Sequence, residues 1–222
     1  MITLANVNVP RGNTNPHNIG FTSNVIPKAI GSQTGVSVRY EYTPNKQWYV
    51  LRVSYGRINK AKDILEKKNL DYYLPLHYII KTVNNKRKRI TAPLLPNLLF
   101  VYAEETMIKM LMDDKISIGV LSFYYNHFVK DRYGKNPPLT VEFNIMAQFI
   151  DLTSILNEHI KLVDRKACNF KSGDYVRVIN GDFKGIEGRV ARVYGQQRVV
   201  VELNGLCLVA TAYIPTPFIE RI

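Results

Sequence analysis

The sequence predicts an α+β fold: a first domain in which helices cover a mostly antiparallel sheet, followed by a small all-β barrel. Over residues 47–156, strand-like and helix-like segments follow one another in the order β, α, β-hairpin, α, β, α, which is typical of a sheet covered by helices. Over residues 170–222, short strand-like segments alternate apolar and polar residues between glycines, as in a small barrel. We therefore expect an extension over residues 1–46 and a linker over residues 157–169.

The composition is that of a soluble globular protein with a cationic surface. Of the 222 residues, 46% are hydrophobic and 22% are charged, and 30 Lys and Arg against 18 Asp and Glu give a net charge of +12. A charge of this sign suits a partner that carries phosphates. The excess is spread along the whole chain, which argues against a dedicated basic tail.

Membrane segments, metal sites and disulfides are not indicated. No window approaches the roughly 20 consecutive apolar residues of a membrane-spanning helix, and the polar start lacks the layout of a signal peptide. We therefore expect a cytoplasmic protein without membrane contact. Cys168 and Cys207 stand far apart without His or Cys at ligand spacing, so we expect ordinary thiols, with Cys207 half-buried in a strand, and no metal or cofactor.

The first half of the first domain is predicted from three patterns. The aromatic and β-branched run over residues 48–53 predicts a strand. Over residues 57–69, apolar residues recur at three- and four-residue spacing opposite lysines, which predicts an amphipathic helix. Residues 71–81 and 92–102 predict two strands, and the basic segment 82–89 between them predicts a hairpin with a cationic tip.

The second half of the first domain closes with two further helices. Residues 104–113 predict a helix, because carboxylates in its first turn complement the helix dipole, and its apolar composition predicts that it is well buried. Residues 120–129 are rich in aromatic residues and predict a strand, residues 131–136 predict a polar turn, and the apolar spacing over residues 146–153 predicts a last helix.

The two ends of the chain differ in texture. Residues 1–46 are rich in Asn, Gly, Ser, Thr and Pro without a helical or strand period, so we expect a mostly disordered extension; a tail that docks on a partner is the alternative. The predicted strands of the barrel are residues 174–179, 186–193, 198–203, 206–213 and 218–222.

The most informative stretch is residues 173–190, GDYVRVINGDFKGIEGRV, which resembles a KOW motif. Gly181, Gly185 and Gly188 permit positive φ or close backbone approach, so that two strands join through a tight, twisted connection. Together with Lys184 they are the residues that we assign to the motif. The resemblance implies an SH3-like β-barrel, and the alternative is a generic barrel hairpin.

Upstream segments resemble the amino-terminal domain of the NusG family of transcription factors. These segments are residues 48–51 (WYVL), a basic helix, residues 74–75 (LP) and residues 93–101 (PLLPNLLFV), and a KOW module behind such a domain is the arrangement of that family. The last of these segments is also similar to the operon-specific RfaH paralogues. Residues 209–214 (VATAYI) resemble the UpxY antiterminators of capsular polysaccharide operons. The resemblance covers residues 47–222.

This resemblance implies a non-enzymatic factor that binds RNA polymerase and suppresses pausing and termination. It further implies a factor restricted to particular operons, such as those for capsular polysaccharides. In the family, an apolar depression takes the β′ clamp helices of the polymerase, and apolar anchors suit such a contact. The residues at the matching positions are Tyr49, Leu95, Leu98 and Phe100; the alternative for each is plain core. The polar His-Thr-Thr motif that RfaH presents to the β gate loop is absent, and residues 109–111 stand near that place.

Several cations are candidates for contact with the exposed non-template DNA strand or a leader RNA, since Lys and Arg position a nucleic acid through its phosphates and a nearby aromatic ring can stack on a base. The candidate cations are Arg57, Lys60, Lys86, Arg87, Lys88 and Arg89, and the candidate stacking residues are His77 and Tyr78. The alternative for any single cation is a solvated surface.

Other functions find less support in the sequence. The four histidines show no metal spacing, and neither a phosphate-binding glycine loop nor a nucleophile motif is present, so we expect no catalysis. A KOW-containing RNA-binding or ribosome-associated protein is the alternative function. The sequence leaves open whether the barrel binds a ribosomal protein, a termination factor or RNA, and whether the two domains pack together. We expect a monomer and no fold switch of the barrel.

Overall fold

The computed structural model describes residues 41–83, 85–155, 160–203 and 205–222. In chain order, its elements are β1 (Lys46–Val53), α1 (Ile58–Lys67), β2 (Asp71–Tyr73), β3 (Leu76–Val83), β4 (Lys86–Pro93), β5 (Leu98–Glu104), α2 (Glu105–Asp113), β6 (Leu121–Phe123), β7 (Thr140–Val141), α3 (Phe143–Ser154), β8 (Lys161–Val163), β9 (Cys168–Val178), β10 (Glu187–Val193), β11 (Gln196–Leu203), β12 (Cys207–Ala210) and β13 (Ile219–Arg221). The α+β class with mostly antiparallel sheets is confirmed. Most of the extension predicted over residues 1–46 lies outside the described residues.

Strand β1 is the centre of the first sheet. It pairs antiparallel with β5 along one side and with β6 and then β7 along the other, and β2 lies beyond β5. Successive side chains point to opposite faces of a strand. Trp48 and Val50 accordingly belong to one apolar layer, together with Phe100, whereas Tyr49 and Leu51 belong to the other. A strand segment that is buried on both faces is a continuous apolar run in the sequence, as residues 48–51 of β1 are.

Helices cover both faces of the first sheet. Leu65 of α1 and Ile108 of α2 pack in the layer that contains Leu51, and Phe149 of α3 packs in the opposite layer. The prediction that residues 104–113 are well buried is wrong, because α2 lies on the sheet with a single stripe, buries Ile108 and Leu111, and turns its other faces to solvent. Within the described ranges, no helix is long and apolar enough to cross a membrane.

Strands β3 and β4 form a separate two-stranded sheet, the predicted basic hairpin. The eight residues of β3 pair with the eight of β4, and at the root of the hairpin the Leu94 N–H donates to the Pro75 carbonyl at 2.8 Å. The second strand predicted for this region, residues 92–102, is divided between β4 and β5. The division lies at Asn97, which has a positive φ of 59° that interrupts an extended chain.

The segment between β6 and β7, residues 124–139, is called here the edge arm. The strand predicted over residues 120–129 is shorter than expected, since β6 ends at Phe123 and the chain leaves the sheet. The base of the arm stays bonded to β1: its first N–H donates to the Val50 carbonyl, and the Val50 N–H donates to its last carbonyl, both at 3.0 Å. β6 and β7 share one side of β1, so the segment between them projects from that side.

The second domain, residues 160–222, is called here the β domain. Its sheet has the strand order β13-β9-β10-β11-β12-β8, and alternate side chains such as Val178, Val199 and Val201 face a common core. Residues 157–169, which the sequence assigns to a linker, contain β8, and β8 pairs antiparallel with β12. Part of the predicted linker therefore adds an edge strand to this sheet.

The glycines of the predicted motif have the physical roles that the sequence assigned to them. Gly181 and Gly185 have φ of 80° and 93°, values that glycine adopts without steric cost. Gly188 is needed for a different reason, because a Cβ placed there would lie 2.6 Å from the Val200 carbonyl oxygen. The exposed Lys184 belongs to the same turn, where its N–H donates to the Gly181 carbonyl at 3.1 Å.

Helix α3 contacts both the first sheet and the β domain. The Gln148 side-chain amide of this helix donates to Glu187 at 3.3 Å and accepts a hydrogen bond from the Tyr175 hydroxyl at 3.0 Å. Glu187 also accepts from Arg177 at 2.7 Å. A cavity of about 150 Å³ lies beside these contacts and is lined by Ile145 among others. The two domains thus pack together, a question that the sequence leaves open.

The described residues before β1 also pack on the first domain. The Thr43 N–H donates to the Tyr102 hydroxyl at 2.8 Å, and the ring centroids of Tyr42 and Phe143 are 5.5 Å apart. Residues 41–45 therefore differ from the disordered extension predicted for residues 1–46. Tyr102 and Phe143 belong to β5 and α3, so this short segment contacts the same face of the sheet as α3 does.

The close approach of β10 and β11 at Gly188 predicts a large effect of a single methyl group. Gly188→Ala should lower the free energy of unfolding by about 1–3 kcal/mol, because the added Cβ meets a backbone oxygen that cannot rotate away. Thermal denaturation followed by circular dichroism measures this. Gly195→Asn is the matched control, since Gly195 has a φ of 79° with open space around it and Asn tolerates that conformation. Equal midpoints for the two variants would contradict the steric argument.

Candidate functional site

The cations of the hairpin divide between its two faces. Residues that lie directly opposite each other in an antiparallel pair share a face. The pairs Ile80↔Arg89 and Thr82↔Arg87 therefore place both arginines on one face. On the other face lie the pairs His77↔Ala92 and Lys81↔Lys88, together with Lys86, two residues before Lys88. The sequence predicts one basic cluster, whereas the structure gives an arginine face and a lysine face.

The arginine face combines charge with an aromatic ring. Tyr78 lies on this face, and the guanidinium carbon of Arg89 is 3.8 Å from the centre of its ring. This distance is that of a cation–π contact, which holds the guanidinium over the ring. Both Arg87 and Arg89 are exposed, so this face presents cations to solvent on a strand rather than on a loose tip. A planar guanidinium held in this way suits a phosphate contact.

The lysine face carries like charges opposite each other. Lys81 and Lys88 form a directly opposed pair, an arrangement that is destabilising unless an anion lies between or above the two charges. Lys81 was not among the residues predicted from sequence. The sequence signal that could have identified it is its position close to the turn, on the strand that pairs with the basic run. His77 is on this face as well. Burial lowers the pKa of His77, which favours the neutral form of the imidazole over the charged form.

The two cations predicted on the first helix lie apart from the hairpin strands. Arg57 is the residue that precedes α1, and its Nη1 donates to the Gly119 carbonyl at 2.9 Å. Arg57 therefore joins the start of α1 to the segment before β6 as well as carrying an exposed charge. Lys60 is exposed on the first turn of α1. No metal-binding group of three or more His, Cys, Asp or Glu occurs among the residues that the structure describes.

The four apolar residues assigned to the clamp-helix contact do not form one depression. Tyr49 points to the layer of α1 and α2, whereas Leu95, Leu98 and Phe100 belong to the layer of α3. Tyr49 and Leu95 are buried, and Phe100 is 0% exposed with its ring 5.5 Å from that of Phe149. Leu98 alone among the four is half-buried. The accessible part of this predicted site is therefore the surface around Leu98.

The surroundings of Leu98 join the hairpin to the edge arm. Leu98 pairs directly with Arg52 of β1, which is exposed. The guanidinium of Arg52 lies 5.5 Å from the ring centre of Tyr124, the first residue of the arm. On the other side, Pro96 is exposed and the chain runs back within three residues to the last residue of β4. An apolar surface formed by Leu98 and Pro96, with Arg52 beside it, thus lies between the end of the hairpin and the start of the arm.

Residues 109–111, which stand near the predicted gate-loop contact, are positioned on α2. Lys109 forms an ion pair with Glu105 one turn earlier at 2.5 Å, Met110 is exposed, and Leu111 is buried. This segment therefore offers one exposed apolar side chain and an ion pair that is already satisfied. The two cysteines are the remaining reactive groups: Cys168 is buried, and burial raises the pKa of Cys207 to about 12, so its thiol stays protonated at neutral pH.

The different burial of two neighbouring candidates predicts different effects of the same substitution. Phe100→Asp should unfold the first domain, because it removes a core ring, at a cost of about 3–5 kcal/mol, and also buries a carboxylate. Leu98→Asp should keep the fold, since its side chain already reaches solvent. Circular dichroism and thermal unfolding of both variants test this. Native-like unfolding of Phe100→Asp would mean that β5 is not packed as described.

Comparison with known proteins agrees with this architecture. Residues 46–150 match the family model described as "Transcription termination factor nusG", and residues 172–202 match the model of the KOW motif. The "Transcription termination/antitermination protein NusG" of Streptococcus pyogenes serotype M1 is 28% identical over 160 residues, which cover 67% of this chain and 82% of that protein. The proteins of the same name from serotypes M3 and M18 show the same identity and coverage. The chain is therefore built from a NusG amino-terminal domain followed by a KOW motif, and the NusG proteins are its distant homologues.

Proposed function

We propose that this chain is a transcription elongation and antitermination factor that binds RNA polymerase and suppresses pausing and termination. The observation that carries the proposal is the joining, in one chain, of a NusG amino-terminal domain to a KOW motif, an order that extends over most of the length of the matched relatives. The relatives are named as termination and antitermination proteins. The mode of action is binding, in the cytoplasm, by a monomer, without bond chemistry.

The polymerase contact is assigned to the surface around Leu98. In the proposed complex the β′ clamp helices cover Leu98 and the exposed Pro96, and Arg52 lies at the rim. A half-buried apolar side chain with a cation beside it matches the usual interface pattern of an apolar centre and a polar rim. Leu95 and Phe100 act from below, as the core that holds this surface in shape. Tyr49 supports the opposite face of the sheet and takes no direct part.

The hairpin is assigned to nucleic acid. Its arginine and lysine faces lie on a two-stranded sheet that stands apart from the first sheet, and the directly opposed Lys81 and Lys88 would repel each other without an anion. The non-template DNA strand or a leader RNA supplies such phosphates. Arg57 and Lys60, at the start of α1, are separate candidate phosphate contacts. Contacts of this kind position the factor on the nucleic acid, and any sequence preference requires contacts to the bases.

The proposed specialisation is for particular operons, of the kind that produce capsular polysaccharides. It is supported by the sequence pattern of residues 93–101 and 209–214, which resemble RfaH and UpxY proteins respectively. Residues 93–101 contain the Leu98 surface, and residues 209–214 follow β12 in the β domain. A contact with the β gate loop would fall on the exposed Met110 of α2. The proposed further partner of the KOW motif is a ribosomal protein or a termination factor.

The proposal predicts that the polymerase contact depends on Leu98. The tagged chain should retain RNA polymerase when purified from its own cells after nuclease treatment, and Leu98→Asp should lose at least about tenfold of it, because a carboxylate cannot be buried against apolar helices without cost. Quantitative mass spectrometry of the eluates measures this. Tyr194→Asp is the matched control, since Tyr194 is an exposed apolar residue on the β domain. Recovery of ribosomes or RNA without polymerase would instead favour an RNA-binding or ribosome-associated protein.

The hairpin assignment predicts a salt-dependent contact. Neutralising Lys86, Arg87, Lys88 and Arg89 to Gln should weaken recruitment to an elongation complex and flatten the dependence of its affinity on salt, since each lost phosphate contact reduces the logarithmic slope by about 0.7–0.9. Separate variants of the two arginines and of the two lysines identify the face that is used. Lys115→Gln with Lys161→Gln is the control, because both are exposed cations away from the hairpin. Unchanged recruitment of the fourfold variant would refute the DNA contact.

A further inference from the structure

The edge arm is held in shape by hydrogen bonds within the segment. Beyond its base, the Asn126 N–H donates to the Pro137 carbonyl at 2.8 Å, and the Asp131 N–H donates to the Lys135 carbonyl at 2.8 Å. The Asp131 carboxylate closes the tip by accepting the N–H groups of Tyr133 at 2.9 Å and Lys135 at 2.8 Å. These bonds hold the tip in one conformation before any partner arrives, which reduces the entropy lost on binding.

Two aromatic side chains of this tip are exposed. Phe128 is 82% exposed and Tyr133 is 71% exposed, although both are among the residues that contribute most apolar area when buried. Phe128 lies beside Gly205 of the β domain, where a Cβ would be 3.2 Å from its ring. A glycine at that position leaves room for the ring. Neither side chain belongs to the apolar clusters of the first domain. Core packing therefore does not explain why two large aromatic residues stand at these exposed positions.

Cations alternate with these rings along the arm. Lys130, Arg132 and Lys135 stand against a single carboxylate, Asp131, and the oxygens of that carboxylate accept backbone N–H groups. The guanidinium of Arg132 lies 4.8 Å from the ring centre of Tyr133. Among the described residues, none of the three cations takes part in an ion pair. Rings for bases and cations for phosphates are the two components of a single-strand binding surface.

We infer that the edge arm is a second nucleic-acid site, which takes single-stranded nucleic acid by stacking bases on Phe128 and Tyr133 and binding phosphates through Lys130, Arg132 and Lys135. A duplex keeps its bases stacked inside and offers the rings nothing to contact, which favours a single strand. A protein partner is disfavoured by the lysines, since the centres of protein interfaces are depleted in lysine. The site is distinct from the hairpin, and its argument does not depend on polymerase binding.

Tryptophan fluorescence can test the stacking directly. The chain has one tryptophan, Trp48, which is 1% exposed and stacked on Tyr102. Phe128→Trp therefore adds an exposed reporter to a shielded background. Titration with single-stranded oligonucleotides of about 12 nucleotides, oligothymidylate and oligouridylate, should quench the new emission to saturation, and the tighter of the two identifies the type of strand. Tyr194→Trp, an exposed reporter outside the arm, should not be quenched.

The affinity gives an independent measurement. Fluorescence anisotropy with a labelled oligonucleotide should show that Phe128→Ala with Tyr133→Ala raises the dissociation constant roughly tenfold for each base that loses its stacking partner. The comparison is made in the background in which Lys86, Arg87, Lys88 and Arg89 are changed to Gln, so that the hairpin does not mask the effect. Circular dichroism checks that the fold is retained, which is expected because both rings are exposed.

The outcomes separate this site from the polymerase contact, because the purified chain is used without polymerase. Quenching of Phe128→Trp together with weaker binding of the double alanine variant supports the arm as a single-strand site. Unchanged emission at an oligonucleotide concentration that saturates the anisotropy would overturn it, as would unchanged affinity of the alanine variant. Either negative result would favour a protein, and not a nucleic acid, as the partner that contacts Phe128 and Tyr133.

Discussion

The burial of β1 on both of its faces is the constraint from which the first domain follows. Odd and even side chains of this strand enter two separate apolar layers, so helices are required on both sides of the sheet. Both hydrogen-bonding edges of β1 are occupied as well, by β5 on one side and by β6 and β7 on the other. Because the second edge is shared by two short strands, the chain between them must leave the sheet, and the edge arm is the result.

Helix α3 connects the first sheet to the β domain, because it contacts both. One side of the helix packs Phe149 against Phe100 of β5, and the other side directs Gln148 toward Tyr175 and Glu187. The contact between the domains is polar at this point and leaves a cavity of about 150 Å³ beside it. The α3 layer of the first domain and the core of the β domain belong to one apolar cluster, so the interface combines these polar contacts with apolar packing.

The features that were predictable from sequence are those with a strong local cause. The continuous apolar run of β1, the helical spacing of α1 and the glycines at Gly181 and Gly185 each follow from short-range patterns. The burial of α2 was overestimated because composition does not tell how many faces of a helix meet the sheet. The strand expected over residues 120–129 is shorter than predicted for a non-local reason, since its pairing partner β1 is shared with β7. Tyr49 was assigned to the same predicted contact as Leu98, although the pairing of β1 with β5 places the two side chains on opposite faces of the sheet.

The Leu98 surface lies between the hairpin and the edge arm, the two cationic elements of the first domain. The hairpin ends three residues before Pro96, and the edge arm begins at Tyr124. The guanidinium of Arg52, which is opposite Leu98, lies over the Tyr124 ring. An apolar contact is nearly independent of salt, whereas phosphate contacts weaken steeply as salt rises. A partner held at Leu98 would therefore keep the two cationic elements close to a nucleic acid even where each binds weakly. Linked weak sites raise the overall affinity through their effective concentration. Separating these contributions requires variants of Leu98, the hairpin and the arm in one series.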